Sequence, residues 1–248
     1  EKPLASTSVQ AEELVNLAEN NSRVLAVDHT FLYTGAIQKI NEIIKGGDIG
    51  DLIYIDSVRI NLGLFQSDVS VIFDLAAHDF SIVTYLLDMD PQSVQAMGMC
   101  YGTEDLESIA YLHLKYPGEL FAHFHVNWVS PVKIRQILIA GTKKMIVYDD
   151  MQQSEKIKVY DKGISISNSD VASLNRIMVD YRTGDMLAPK LDHREALDAE
   201  AEHFLECVRE RRQPLSDGRF GLRIVRQLES CQKSIIQHGV KVGLGEAT

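Results

Sequence analysis

Between residues 93 and 149 the sequence forms short runs of alternating apolar and polar residues, separated only by turns. The runs cover residues 93–100, 107–115, 119–129, 132–140 and 144–149. Such runs are typical of β-strands, and turn signals such as Pro117-Gly118 and Gly141-Thr142 stand between them. Because no helical pattern intervenes, neighbouring strands connect through short turns and run antiparallel. The sequence therefore predicts an antiparallel meander over this region.

Helical patterns lie before and after the meander. Thr7 has the side chain of an N-cap, Gln10 follows at capping-box spacing, and an apolar stripe then continues to Asn20. A buried strand is predicted over residues 23–27, which gives the helix–strand rhythm of a parallel α/β sheet. Further predicted elements are a helix at 34–45, a strand at 52–62, a helix at 71–87 and two closing helices at 195–210 and 217–238.

The predicted fold class is α+β. We expect an open antiparallel β-sheet with helices on one face, preceded by the last α/β unit of a doubly wound domain. An open sheet of this kind leaves its second face in need of cover. We therefore expect a homodimer or homotetramer that pairs the sheet faces of its subunits.

The composition excludes several classes of protein. The formal net charge of −10 argues against nucleic acid and anionic membrane surfaces as partners. Three cysteines without a Cys-x-x-Cys pattern indicate neither a disulfide framework nor a zinc knuckle, and reduced thiols favour a cytoplasmic protein. No apolar run approaches the ~20 residues of a membrane span, and the first residues do not resemble a signal peptide.

Asp74 and His78 are the strongest candidates for chemistry. They lie four residues apart, so on a helix they share one face, and a carboxylate near an imidazole fixes its tautomer and raises its basicity. That is what a general base for a hydroxyl proton requires. Most such pairs are surface contacts of a helix. This pair stands in an otherwise apolar segment, where a charge without a role is costly.

A metal site is the competing interpretation of His123-Phe124-His125. Histidines two apart on a strand face the same side and can chelate a metal, and His113 lies on the preceding predicted strand. No Glu follows the pair at the usual short spacing. Half-buried strand histidines explain the pattern more simply, so we predict no metal site.

A pyrophosphate cradle is missing from the sequence. A dinucleotide site needs Gly-x-Gly-x-x-Gly at the start of a helix, so that backbone N–H groups reach the phosphates. No such pattern occurs, and Gly141-Thr142-Lys143-Lys144 stands between predicted strands and is not a P-loop.

Three motifs in order resemble the glucose–fructose oxidoreductase and inositol dehydrogenase family (Gfo/Idh/MocA) of sugar dehydrogenases. They are Glu1-Lys2-Pro3, the Asp74-Leu75-Ala76-Ala77-His78 segment, and the stretch from Glu202 to Arg223. Within this family the chain is most similar to nucleotide-sugar 3-dehydrogenases, through residues 28–33, 74–79 and 128–135. The resemblance implies an oxidoreductase that uses NAD or NADP and moves a hydride between the nicotinamide and a secondary hydroxyl of a sugar. Its similarity to nucleotide-sugar 3-dehydrogenases implies a nucleotide sugar as the substrate.

The resemblance also implies roles for individual residues. His78 is the base that accepts the hydroxyl proton, Asp74 tunes it, and Lys2 orients the alcohol. Glu1, Lys2 and Pro3 would lie beside the cofactor. Tyr33 and Asn61 are the candidates for substrate binding, because they flank the inferred pocket.

The same resemblance implies how the chain divides. Residues 1–28 would be a remnant of the dinucleotide-binding (Rossmann) domain, and residues 29–248 the substrate-binding and oligomerisation domain. We expect such a chain to lack most of the Rossmann domain and to be inactive and unable to bind the cofactor by itself. Two alternatives stay open: a non-catalytic binding or assembly domain on the same scaffold, and a His-x-His metal enzyme.

Overall fold

The computed structural model describes residues 1–63, 65–102, 104–161, 163–167, 178–182 and 184–244. The predicted α+β class with an open sheet is confirmed. Within the described residues the α-helices are α1 (Ser8–Asn20), α2 (Gly35–Lys45), α3 (Ala77–Leu87), α4 (Ala196–Glu210) and α5 (Gly218–Ile236). A 3₁₀-helix at Thr30–Tyr33 precedes α2, and a π-helical turn at Ile72–Ala76 leads directly into α3. None of the helices in these ranges has the length and hydrophobicity needed to span a membrane.

The strands of the described ranges number eleven. They are β1 (Leu52–Leu62), β2 (Ser93–Met99), β3 (Ile109–Lys115), β4 (Phe121–Asn127), β5 (Val129–Gly141), β6 (Met145–Asp149), β7 (Ile157–Tyr160), β8 (Gly163–Ser167), β9 (Met178–Arg182), β10 (Met186–Leu187) and β11 (Val242–Gly243). Nine of them form one sheet in the order β10-β7-β6-β5-β1-β4-β3-β2-β11, while β8 and β9 pair separately. The five strands of the predicted meander are all present, as β2 to β6.

Strand β1 departs from the expected antiparallel arrangement. It lies between β4 and β5, and it runs parallel to β4 with Tyr54 opposite Phe121 and Ile60 opposite Asn127. The other strand pairs of the described chain are antiparallel. A helix separates β1 from the meander in the sequence, so β1 returns to the sheet by a crossover and the sheet is mixed.

The core lies between one face of the sheet and helices α2, α3 and α5. Phe80 of α3 meets Phe124 of β4 edge to face, with ring centroids 4.8 Å apart. Ser234 of α5 accepts a hydrogen bond from the backbone N–H of Ala96 on β2 at 2.9 Å. Helices thus cover this face, as predicted, and they bring the start of α3 over the middle of the sheet.

The opposite face of the sheet is uncovered in the single chain. We call it the outer face and define it by Met97, Met99, Tyr111, Phe121 and the three histidines 113, 123 and 125. Met97 is 66% exposed and Phe121 is 40% exposed. Both faces of the sheet therefore carry large apolar side chains.

The N-terminal segment packs on the C-terminal helix rather than joining the sheet. Ala11 and Val15 of α1 form a small apolar cluster with Leu222 and Val225 of α5. The predicted strand at 23–27 forms only one isolated bridge, between Ala26 and Asp217. Only Val27 of this run is buried, residues 24–26 are partly buried and Arg23 is exposed, so the predicted buried strand is wrong.

Candidate functional site

Lys2 and Asp74 meet although 72 residues separate them. The Lys2 ammonium lies 3.2 Å from Asp74 Oδ1 and also donates a hydrogen bond to the backbone carbonyl of Asp74. Asp74 belongs to the π-helical turn, where the regular hydrogen-bond ladder is widened. The wider turn leaves this carbonyl available to a side chain. Such turns occur frequently at functional sites.

Trp128 holds the other oxygen of the same carboxylate. Its indole Nε1 donates a hydrogen bond to Asp74 Oδ2 at 3.0 Å. Trp128 stands between β4 and β5 and is 1% exposed. The Asp74 carboxylate is therefore bound on one oxygen by a cation and on the other by a buried N–H donor.

His78 lies one turn further along, at the start of α3, and does not contact Asp74. The two side chains, both of them described, share no hydrogen bond or ion pair; Asp74 is instead paired with Lys2 and Trp128. The π-helical turn changes the angular spacing that an α-helix would give, which is why four-residue spacing does not bring them together here. Sequence reasoning assumed a regular helix.

The imidazole of His78 is held in its neutral form. Its Nδ1 is shut off from solvent and has no hydrogen-bond partner among the described residues, and the ring packs edge-on against Phe31 with centroids 5.1 Å apart. Burial lowers the pKa of His78 well below its ordinary value, and the positive charges of Arg59 and Lys2 lower it further. A neutral imidazole can accept a proton.

A buried ion pair, formed by Arg59 and Asp79, contributes to the surroundings of His78. Arg59 of β1 donates to both carboxylate oxygens of Asp79 at 2.7–3.0 Å, and both side chains are almost fully buried. The Arg59 guanidinium also stacks 4.6 Å above the Phe31 ring. Sequence reasoning missed this pair. The feature that could have indicated the pair is the position of Arg59, a charged residue that alternates with Ile55 and Ser57 on the buried side of β1.

Tyr33 and Asn61 belong to different elements, the 3₁₀-helix Thr30–Tyr33 and strand β1. The Tyr33 hydroxyl is 3.1 Å from the Ser216 hydroxyl, and burial raises the pKa of Tyr33. Tyr33 lines a cleft of about 550 Å³ with Gln38, Tyr85 and His203, and neither Asp74 nor His78 lines it. Asn61 is half-buried near the end of β1, on the same strand face as Arg59.

Glu1 and Pro3 flank Lys2 at the edge of the site. Glu1 is exposed and Pro3 is half-buried, and the peptide bond between Lys2 and Pro3 is cis. Of the predicted site residues, the structure thus brings Lys2 and Asp74 into contact, places His78 next along the same helical segment, and leaves Tyr33 in a separate cleft.

The histidines singled out in the sequence lie on the outer face. Nδ1 of His113 is 3.2 Å from Nδ1 of His123, and His125 stacks on Tyr111 with ring centroids 4.4 Å apart. Over the described part of the chain, no group of three or more His, Cys, Asp or Glu residues is arranged to hold a metal ion.

Comparison with known proteins gives a family match over part of the chain and a fold. Residues 37–147 match the GFO/IDH/MocA C-terminal domain. The curated UDP-N-acetylglucosamine 3-dehydrogenase of Acidithiobacillus ferrooxidans is 24% identical over 226 residues, which cover 91% of this chain. The chain spans 66% of the length of that relative.

Solved structures agree with this match. The structure of the same A. ferrooxidans dehydrogenase has a TM-score of 0.77 at 23% identity and covers 94% of this chain and 69% of its own. An aldose–aldose oxidoreductase from Caulobacter crescentus has a TM-score of 0.80 at 15% identity, covering 98% and 70%. An inositol dehydrogenase homologue from Azotobacter vinelandii, solved with NADH and myo-inositol, has a TM-score of 0.77 at 17% identity, covering 98% and 70%. At these identities the likeness shows the fold.

The matched residues contain most of α2, the π-helical turn with Asp74, α3 with His78, and strands β1 to β5. The resemblance that the sequence motifs indicated is confirmed over residues 37–147, which are similar to the GFO/IDH/MocA C-terminal domain.

Proposed function

We propose that this chain provides the proton-handling and substrate-binding part of an NAD(P)-dependent oxidoreductase that acts on a secondary hydroxyl of a sugar. The observation that carries the proposal is the meeting of Lys2 with Asp74 beside a neutral His78. A cation, a carboxylate and a neutral imidazole are the groups needed to bind an alcohol and remove its proton. The family match supports the same reaction class, as do the similar UDP-N-acetylglucosamine 3-dehydrogenase and inositol dehydrogenase homologue.

The residues present fit the reacting end of a nicotinamide cofactor. Glu1, Lys2 and Pro3 are the proposed contacts, and Lys2 keeps 17% of its side chain exposed at the edge of the site. When bound, the nicotinamide supplies the acceptor for the hydride. A pyrophosphate cradle of the Gly-x-Gly-x-x-Gly type does not occur in this sequence, so the chain's own contribution is at the sugar hydroxyl.

His78 accepts the hydroxyl proton in this mechanism. Its Nδ1 is enclosed by protein, which leaves Nε2 as the nitrogen that meets the substrate. The Lys2 ammonium donates a hydrogen bond to the substrate oxygen and stabilises the negative charge that develops there. Asp74 compensates the charge of Lys2 and fixes its direction.

A nucleotide-linked sugar is the substrate class that we favour. The support for this class is the A. ferrooxidans relative, which is a UDP-N-acetylglucosamine 3-dehydrogenase. The pyrophosphate of such a substrate could pair with cations from the group Lys133, Arg135, Lys143 and Lys144, of which Arg135 lies 3.6 Å from Asp150. Among the predicted substrate residues we favour Asn61, because the Tyr33 hydroxyl lies 3.1 Å from the Ser216 hydroxyl.

The same proposal covers assembly, location and domain organisation. We infer a homodimer or homotetramer formed through the outer face, in the cytoplasm, with residues 1–28 belonging to the cofactor domain and residues 29–248 to the substrate domain. The exposed apolar side chains of the outer face support the first point.

The test is the substitution His78→Asn in the complete gene product. Without the imidazole the hydroxyl keeps its proton, so kcat for NAD⁺-dependent oxidation of UDP-N-acetylglucosamine should fall by about 10²–10⁴. The matched control is His238→Asn, at an exposed position with left-handed backbone that suits Asn. Both kcat and Tm are measured on the same samples. A lowered Tm with an unchanged kcat per folded molecule would make His78 a packing residue and overturn the proposal.

A further inference from the structure

The indole of Trp128 is connected to the site by a hydrogen bond to Asp74. Its Nε1 donates to Asp74 Oδ2 at 3.0 Å, while Lys2 lies 3.2 Å from Oδ1. A carboxylate with one donor on each oxygen cannot rotate about its Cβ–Cγ bond without losing both contacts. The position of the Lys2 ammonium is therefore linked to that of the indole.

Trp128 is itself held in place from several sides. Its backbone N–H donates to the Ser108 carbonyl at 2.9 Å, and its carbonyl accepts from the Gly63 N–H at 2.9 Å. A Cβ at Gly63 would overlap the indole, so only glycine lets the chain approach this closely. Phe65 packs against the ring with centroids 5.9 Å apart. The indole thus has one orientation from which to donate.

We propose that Trp128 is a positioning residue, which fixes Asp74 and, through Asp74, aims Lys2 at the substrate oxygen. The proposal rests on the proposed function for its catalytic consequence. Loss of the indole N–H leaves Oδ2 without a donor in a partly buried place and frees the carboxylate to turn. Because a small displacement of an orienting group slows the chemical step, turnover should fall while the substrate still binds.

The first experiment tests the contact in the chain itself and needs no activity. Trp128 is the single tryptophan, so its indole N–H gives one identifiable signal in a ¹H–¹⁵N spectrum. Asp74→Ala should move that signal and speed its exchange with solvent, because the acceptor is removed. The matched control is Asp90→Asn, a carboxylate paired with Arg223 at 2.8 Å on another part of the surface. An indole signal that is the same in Asp74→Ala and wild type would overturn the proposal.

The second experiment removes only the donor. β-(3-Benzothienyl)alanine at position 128 keeps the size and shape of the indole but replaces N–H by sulfur. The ¹⁵N signal of the Lys2 ammonium should move in this variant, and it should stay unchanged in Tyr116→Phe, which removes a buried aromatic hydroxyl that has no partner. A Lys2 signal unaffected by the analogue contradicts the proposed link.

The third measurement separates positioning from packing. In the complete gene product, the analogue should lower kcat by roughly tenfold to a hundredfold with KM and Tm nearly unchanged, whereas Tyr116→Phe should leave kcat unchanged. Wild-type kcat in the analogue would refute positioning. If the wild-type protein oxidises no sugar, the proposed function fails, and the two spectra still decide whether Trp128 fixes Asp74 and Lys2.

Discussion

At the scale of single residues, the site is a set of charges whose states are fixed by their surroundings. Lys2 is charged and paired, and His78 is neutral because burial and two neighbouring cations oppose its protonation. His29, two residues before Phe31, is completely buried, and neither of its ring nitrogens has a hydrogen-bond partner in the described part of the chain. Burial also lowers the pKa of His29, to about 4.

This buried histidine predicts a loss of stability in acid. His29 in the unfolded chain takes up a proton below pH ~6.5, whereas His29 in the folded chain takes one up only near pH 4. The contribution of neutral His29 to the free energy of unfolding is therefore complete above pH ~6.5 and declines as the pH falls. Between pH 6.5 and 5 the expected loss in the free energy of unfolding is about 2 kcal/mol. His29→Phe, which keeps an aromatic ring against Phe220, should remove this loss.

Urea unfolding at pH 7 and pH 5 measures the effect. His193→Gln, at an exposed histidine, is the control and should follow the wild type at both values. A His29→Phe chain that loses as much stability in acid as the wild type would assign the pH dependence to other groups.

At the scale of elements, strand β1 and helix α3 are joined by the buried pair of Arg59 and Asp79. Asp79→Asn leaves the guanidinium buried without a compensating charge, so the free energy of unfolding should fall by about 3–5 kcal/mol. Asp90→Asn breaks an exposed pair with Arg223 and should cost less than about 1 kcal/mol. Chemical denaturation of both variants gives the comparison, and equal losses would contradict the assigned role of the buried pair.

The elements also show what the sequence could and could not predict. The alternation in residues 93–149 depends on local contacts with one buried face, and strands β2 to β6 follow it closely. The placement of β1 beside β4 is a non-local pairing, and nothing in the alternation of residues 52–62 specifies a parallel neighbour. Short edge strands such as β10 and β11 have too few residues to show a period.

The site likewise has a part that the sequence predicts and a part that it does not. Residue type and order pointed to Lys2, Asp74 and His78, because their chemistry is carried by single side chains. Their mutual geometry was not readable, because it depends on a π-helical turn that changes the spacing along the helix. Trp128 belongs to residues 128–135, which carry part of the family resemblance. Its contact with Asp74 could not be predicted, because this hydrogen bond joins residues 54 positions apart.

At the scale of the whole molecule, the outer face should control assembly. Introducing charge at two exposed apolar residues of this face, Met97→Glu with Phe121→Glu, should convert the expected oligomer into a 27.8 kDa monomer. Val9→Glu with Leu17→Glu changes two exposed apolar residues on α1 and should leave the assembly intact. Light scattering at micromolar concentration measures the mass of each. A wild-type chain that is monomeric under these conditions refutes assembly through this face.

The position of β1 in the sheet has a consequence for how the protein is made. Both neighbours of β1 are synthesised after it, and Phe121, which pairs with Tyr54, follows 67 residues later. At roughly 5–20 residues per second, a ribosome needs about 3–13 seconds to supply that partner. During this interval β1 has no strand beside it on either edge, although it will lie in the middle of the finished sheet. Asp56 and Arg59 interrupt its apolar run, and they make the nascent strand a poorer template for aggregation while it waits.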